Sequence, residues 1–111
     1  MKVQNAASAG ISERKITGYL LNRTHEKGGP KARFFLGHGY TLEEWRRLAN
    51  DLRRHVRTHE ITESRPTWKG TNYEVTGELT MPDGTTALVV TVWYIVDGGT
   101  RPQLVTAHPA T

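Results

Sequence analysis

Cysteine is absent from this 111-residue chain, which excludes disulfides and thiolate metal sites and fits a reducing, cytoplasmic setting. Long apolar runs are missing too: at 36% hydrophobic residues the chain can fill one modest core but has no stretch able to span a bilayer, so no membrane partner is expected. Met1 to Gly10 lacks the apolar segment of a secretory signal and reads as a mobile N-terminal lead-in, leaving 11–111 as a single domain. Internal repeats and low-complexity segments are lacking. Acidic residues are in the minority, eleven against fifteen Lys and Arg, for a formal net charge of +4. That balance suits an acidic partner such as nucleic acid, although solubility alone accounts for it equally well.

The apolar periodicity changes once, near Glu60. Before it the chain reads as helices. Ser12 can cap a segment through ERKITGYLLN, weakened by Gly18 and the β-branched Ile16 and Thr17. A polar Gly-rich loop follows, and Pro30 opens a short helix that Gly37 and Gly39 stop. Thr41 with Glu44 forms a capping-box pattern ahead of Leu42, Trp45, Leu48, Ala49, Leu52 and Val56, one apolar stripe at helical spacing. Arg46, Arg53, Arg54 and Arg57 lie opposite that stripe, a position more often solubilising than functional.

After Glu60 the period is two. Tyr73, Val75 and Leu79 alternate with Glu74, Thr76, Glu78 and Thr80, and Pro82-Asp83-Gly84 turns the chain into a strand over 86–96. Asp97-Gly98-Gly99 turns it again into a last strand over 103–108. A weaker strand across 61–69 contains Pro66 and suits an edge. The expected fold is α+β, with N-terminal helices packed on one face of a four-stranded antiparallel meander.

Cleaving RNA without a metal requires a base near the ribose 2′-hydroxyl, an acid near the leaving 5′-oxygen, and donors or cations for charge developing on phosphate. His25 and His108 are the candidate acid and base. Lys31, Arg33 and Arg101 are candidate cations, with Lys31 at the start of a predicted helix, where free amides favour an anion. Thr106 could donate to a phosphate oxygen. In a strand Thr106 and His108 share a face, and the apolar Val105 and Ala107 are expected on the buried one. For His25 alone, an ordinary loop histidine is the commoner case.

Other residue types carry weaker signals. Glu74 and Glu78 could replace a histidine as base, but exposed strand carboxylates are common. His55 and His59 have a metal-ligand spacing without the glutamate of zinc proteases, and complementing the helix dipole in the last turn is favoured over a metal site. No cofactor is expected. Trp45, Trp68, Trp93, Phe34 and Phe35 could stack on bases if exposed; Trp45 and Phe35 suit a core, and Trp68, beyond Pro66 and beside Lys69, is the candidate kept for stacking on a base.

The segments KITGYLLN, then His25, GGPKARFFLGHGY, YEVTGELTMPDG, VTVWYIVDGG and LVTAHP together resemble a small bacterial toxin-associated domain family. Their order is also similar to the barnase, EndoU, colicin and RelE (BECR) ribonuclease superfamily, a link at the level of fold. The resemblance covers Lys15 to Pro109. It implies a metal-independent endoribonuclease toxin, with RNA and a cognate antitoxin or immunity protein as partners and with His25, Lys31 and Thr106 as site residues. His108 departs from the family pattern, in which an aromatic residue stands before the final proline. The alternative is a non-enzymatic binding module, antitoxin-like or a phage accessory protein, that holds nucleic acid or protein on its basic face. Clustering of His25, Lys31 and Thr106 on one open surface favours the enzyme, and their burial or scattering favours the module.

Overall fold

The computed structural model describes residues 1–110; Thr111, the last residue of the expected domain, lies outside the described residues. Helix α1 (Glu13–Lys15) runs directly into a π turn (Ile16–Leu20), followed by α2 (Gly29–Gly37) and α3 (Trp45–Thr58). Four strands follow, β1 (Glu63–Pro66), β2 (Gly70–Thr80), β3 (Thr86–Val96) and β4 (Gln103–Pro109), hydrogen-bonded in that order. Every pairing is antiparallel, giving the α+β meander that the change of period at Glu60 implies.

Ser12 caps α1, its Oγ accepting from the Lys15 amide at 3.1 Å. Thr41 accepts from the Glu44 amide at 3.1 Å, half of the capping box, but regular helix begins only at Trp45. From there the stripe Leu48, Ala49, Leu52 and Val56 is buried against Val75, Leu79, Val89 and Trp93 of the sheet. Leu42, ahead of the helix, is exposed. Phe35 is buried as well, and Phe34 and Trp45 pack partly buried against the core.

Two expectations give way to packing. Residues 1–10, expected as a mobile lead-in, lie along the domain: Val3, Ala6 and Ala9 are buried, the Ile61 amide donates to the Met1 carbonyl, and Gly10 bridges Gln103. In β4 the pairing slips between Val92 and Trp93, so Val92 faces Thr106 while Trp93 faces Leu104. Val105 is therefore the unpaired residue of a β-bulge. Leu104 and Ala107 enter the core, and Val105, expected there, stays half-buried. The bulge bends this edge strand where α1 and α2 lie alongside it.

His55 lies in the core among buried apolar side chains. It is 2% exposed, and a chain of hydrogen bonds satisfies both its nitrogens. Trp93 Nε1 donates to Thr91 Oγ1 (2.8 Å), and the Thr91 hydroxyl lies 3.1 Å from His55 Nδ1. His55 Nε2 reaches the carbonyls of Gly77 and Val89 at 3.1 and 3.0 Å. A neutral ring protonated at Nε2 fits these contacts, with Nδ1 accepting the Thr91 proton, and burial disfavours the charged ring. His59, whose Nδ1 lies 2.9 Å from the His55 carbonyl, seats its ring against Gly77, where a Cβ would overlap it. Both histidines thus serve the packing of α3 on β2, and a buried, neutral His55 adds no charge to the helix dipole that the pair was expected to complement.

Candidate functional site

The helical layer and the edge strand meet in a three-membered polar cluster. Lys31 Nζ donates to the Tyr19 hydroxyl at 2.6 Å and to Thr106 Oγ1 at 3.0 Å, and the two hydroxyls are 3.1 Å apart. Each residue comes from a different element: Tyr19 from the π turn, Lys31 from the first turn of α2, Thr106 from the residue after the β4 bulge. Thr106 pairs with Val92 and so belongs to the sheet face turned away from α3, at the edge where the helices can reach round to it. All three groups are half-buried. Among the described residues Lys31 has no ion-pair partner.

The cluster changes Tyr19. Burial pushes its phenol up, but the Lys31 hydrogen bond, the Thr106 hydroxyl and the charges of Lys31 and Lys15 together outweigh burial, and the pKa falls below the ordinary value of 10.0. Lys15 and Lys31 each hold Nζ 5.1 Å from the centre of the Tyr19 ring. A short, charge-assisted bond of this kind stabilises the phenolate over the phenol, making Tyr19 a stronger acid than free tyrosine.

His25 packs edge-on against the Tyr19 ring, centroids 4.9 Å apart. Its orientation is fixed by the loop, because the amides of Lys27 and Gly28 both donate to Nδ1, at 3.1 and 2.9 Å. With Nδ1 committed as acceptor, the ring proton sits on Nε2. Gly28 is required here: a side chain at that position would overlap the Tyr19 ring and carbonyl. His108, opposite Val90, shares the Thr106 face, with the two Cα atoms about 7 Å apart by strand geometry. It is half-buried, with Nδ1 2.9 Å from the Pro109 carbonyl. That contact needs a proton on Nδ1, so Nε2 carries the lone pair. The two histidines present opposite functions, His25 a donor and His108 an acceptor.

The remaining candidates stand apart from this cluster. Arg33 is exposed on α2, about 200° around the helix from Lys31. Arg101 donates from Nε to the Ser8 carbonyl at 2.7 Å, which ties the β3–β4 loop to the N-terminal segment. Trp68 lies in the β1–β2 turn rather than in a strand, is 85% exposed, and has Lys69 Nζ 4.4 Å above its ring. That turn is about 13 Å along the strands from the Thr106 row and two strands across. Glu74 shares the Glu74–Val92–Thr106 row but pairs with Arg65 at 3.4 Å. Glu78 lines a small cleft with His59 and Arg54 at the stretch of β2 that β1 leaves unpaired, away from β4. Among the described residues no group of three or more metal-ligating side chains converges, and no helix is long and apolar enough to cross a membrane.

Tyr19 is the residue that sequence reasoning passed over. Between Gly18 and the buried Leu20 it reads as a core-flanking aromatic, and its partner Thr106 is 87 residues away.

The sequence matches the family described as Domain of unknown function (DUF6883) over residues 2–111, and the chain belongs to that family. The match includes nearly all of the packed N-terminal segment. No curated protein matches the chain in sequence. In structure it is similar to a chain of a contact-dependent growth inhibition toxin–immunity protein complex from Klebsiella pneumoniae 342, with a TM-score of 0.67, 13% identity, and coverage of 89% of this chain and 97% of that one. At that identity the likeness is one of fold.

Proposed function

We propose that this DUF6883 domain is a metal-independent endoribonuclease of a growth-inhibiting toxin system, cutting RNA by attack of the ribose 2′-hydroxyl on the adjacent phosphate. The observation that carries the reading is the Tyr19–Lys31–Thr106 triangle, with its bonds of 2.6, 3.0 and 3.1 Å, on the sheet face shared with His108. The Lys31 ammonium and the Thr106 hydroxyl hold the scissile phosphate and stabilise the charge that builds on its non-bridging oxygens. His108 takes the 2′-hydroxyl proton on Nε2. The 2′-oxygen–phosphorus bond forms, the phosphorus–5′-oxygen bond breaks, and Tyr19 gives its proton to the departing 5′-oxygen. The phenolate left behind is stabilised by Lys31, and solvent exchange restores both groups. His25 donates from Nε2 to the substrate, its Nδ1 being occupied by two amide protons. Trp68 with Lys69 is an outlying contact for a longer RNA, as is Arg33. Arg101 fits a structural tie better than an RNA contact.

The fold shared with a chain of a toxin–immunity complex supports the toxin setting, in which a cognate immunity or antitoxin protein would be the partner. The BECR likeness stays part of this proposal. Purified protein should cut RNA in EDTA and leave 2′,3′-cyclic phosphate ends, while DNA of the same sequence stays intact. Equal cutting of DNA, or a requirement for a divalent ion, overturns the mechanism. Expression in a bacterium should slow growth as RNA fragments. Unimpaired growth with intact RNA would favour the binding-module reading, which the same complex accommodates through its immunity component.

A further inference from the structure

Beside Tyr19 lies a cavity of about 260 Å³ lined by Ser12, Arg14, Lys15, Gly18, Tyr19 and His25, with Thr106 and Lys31 not among its walls. Its chemistry is one-sided. Arg14 and Lys15 are cations without an ion-pair partner among the described residues, and no carboxylate lines the walls. Ser12 Oγ already accepts from the Lys15 amide, which leaves its hydroxyl proton to donate. His25 is held as a donor at Nε2 by the two amides on Nδ1. Gly18 puts no side chain into the space. Four residues that carry donors, and none that carries a carboxylate, line a space suited to an anion.

From this arrangement, and resting on the ribonuclease reading above, we infer that the cavity is a second phosphate subsite. It takes the phosphodiester next to the scissile one in the same RNA strand. Tyr19 is the wall between the two positions: Lys31 and Thr106 bind on one side of it, and Lys15, Arg14, Ser12 and His25 bind on the other. Neighbouring phosphates of a strand are separated by one ribose, the kind of span that a single aromatic ring can divide. His25 thereby gains a role that its fixed tautomer suits, neutral donation to phosphate.

The test uses 2′-O-methyl oligonucleotides, which cannot be cleaved, measured by calorimetry at several salt concentrations against the whole chain. A trinucleotide with two phosphodiesters should bind wild-type protein about tenfold more tightly than a dinucleotide with one, the worth of one charge-assisted contact. Its plot of log affinity against log salt should be steeper by about 0.7. Arg14→Gln combined with Lys15→Gln should remove the gain and the added slope, cost the trinucleotide far more affinity than the dinucleotide, and melt as wild type does. Arg14→Lys alone should keep the gain. If the double variant keeps it, or weakens both ligands equally, the subsite is refuted. If inorganic phosphate binds and is lost in the double variant while the trinucleotide gains nothing, the cavity is a free-phosphate site and the inference is wrong. Wild-type protein that cuts RNA but gains nothing from the extra phosphate sinks the subsite alone. Failure to bind or cut any RNA sinks the ribonuclease reading with it.

Discussion

Tyr19→Phe removes one oxygen and nothing else, and its consequences for stability and activity separate cleanly. The hydroxyl takes part in two hydrogen bonds, one from Lys31 at 2.6 Å and one shared with Thr106 at 3.1 Å. A net hydrogen bond to a charged group is worth about 1.5–3 kcal/mol when buried. This cluster is half-buried, and Lys31 and Thr106 keep their own 3.0 Å bond when the phenol goes, so no buried group is orphaned. The expected cost is about 1 kcal/mol, which for a domain of this size lowers the melting temperature by roughly 4–8 °C. Activity should fall much further. Loss of a general acid costs about 10²–10⁴-fold. The assay is single-turnover cleavage of a labelled RNA in EDTA, alongside thermal melts of both proteins. Because the acid must be protonated, the wild-type rate should fall on the alkaline side as pH rises through the Tyr19 pKa, below 10.0, and Tyr19→Phe should lack that limb. A folded Tyr19→Phe protein that cleaves within about fivefold of wild type would refute the assignment of Tyr19 as the acid.

Thr106→Val removes a hydroxyl whose two partners remain bonded to each other, so stability should change by less than about 1 kcal/mol while cleavage drops about tenfold to a hundredfold; an unchanged rate would make that hydroxyl structural. His25→Asn keeps an acceptor close to where Nδ1 receives the Lys27 and Gly28 amides and removes the Nε2 donor, so substrate affinity should weaken with little loss of stability, whereas His25→Ala should also loosen the loop. Equal melting temperatures for the two variants would argue against the tautomer. For His55, burial, ahead of all other causes, holds the pKa below the ordinary 6.5. The unfolded chain therefore takes up the proton first, and the stabilisation present above about pH 6.5 is lost progressively as pH falls towards the folded-state value. Denaturant titrations against pH should reveal this slope in wild type and a shallower one in His55→Phe, and parallel slopes would count against the buried network. Gly77→Ala should destabilise by about 1–3 kcal/mol through overlap with the His59 ring, read from the urea midpoint; no change would mean that the ring moves aside freely.

The parts of the fold legible in the sequence are those built by periodicity. Leu48, Leu52 and Val56 repeat at helical spacing, and Val75 and Leu79 at strand spacing, because each element buries one face. Where a single inserted residue shifts the phase, the pattern misleads: the β4 bulge sends Leu104 and not Val105 into the core, and the π turn has no signature at 3.6 residues per turn. The packed N-terminal segment was hidden by its small residues, since Ala6, Ala9 and Gly10 bury little area yet fit closely. Lys31 and Thr106 could be singled out from residue type and position. Tyr19 could not, because what marks it is a lysine and a threonine brought in from α2 and β4. The histidines were visible as residues, but their different functions depend on which backbone groups hold Nδ1.

The span between Tyr19 and Thr106, 87 residues, has a temporal meaning. The cluster unites the start of the helical layer with the final strand, and that strand lies at the edge of the sheet. During synthesis the helices and the β1–β3 meander can assemble while the site still lacks one of its corners. Contacts of such long range form late, after loop-closure entropy has been met. On the ribonuclease reading proposed above, an emerging chain would stay inert until β4 docks, to the benefit of the cell that makes it. The same geometry means that a cut in the β3–β4 loop would divide the protein into two silent pieces, able to regain function only by pairing again along Val92 and Thr106.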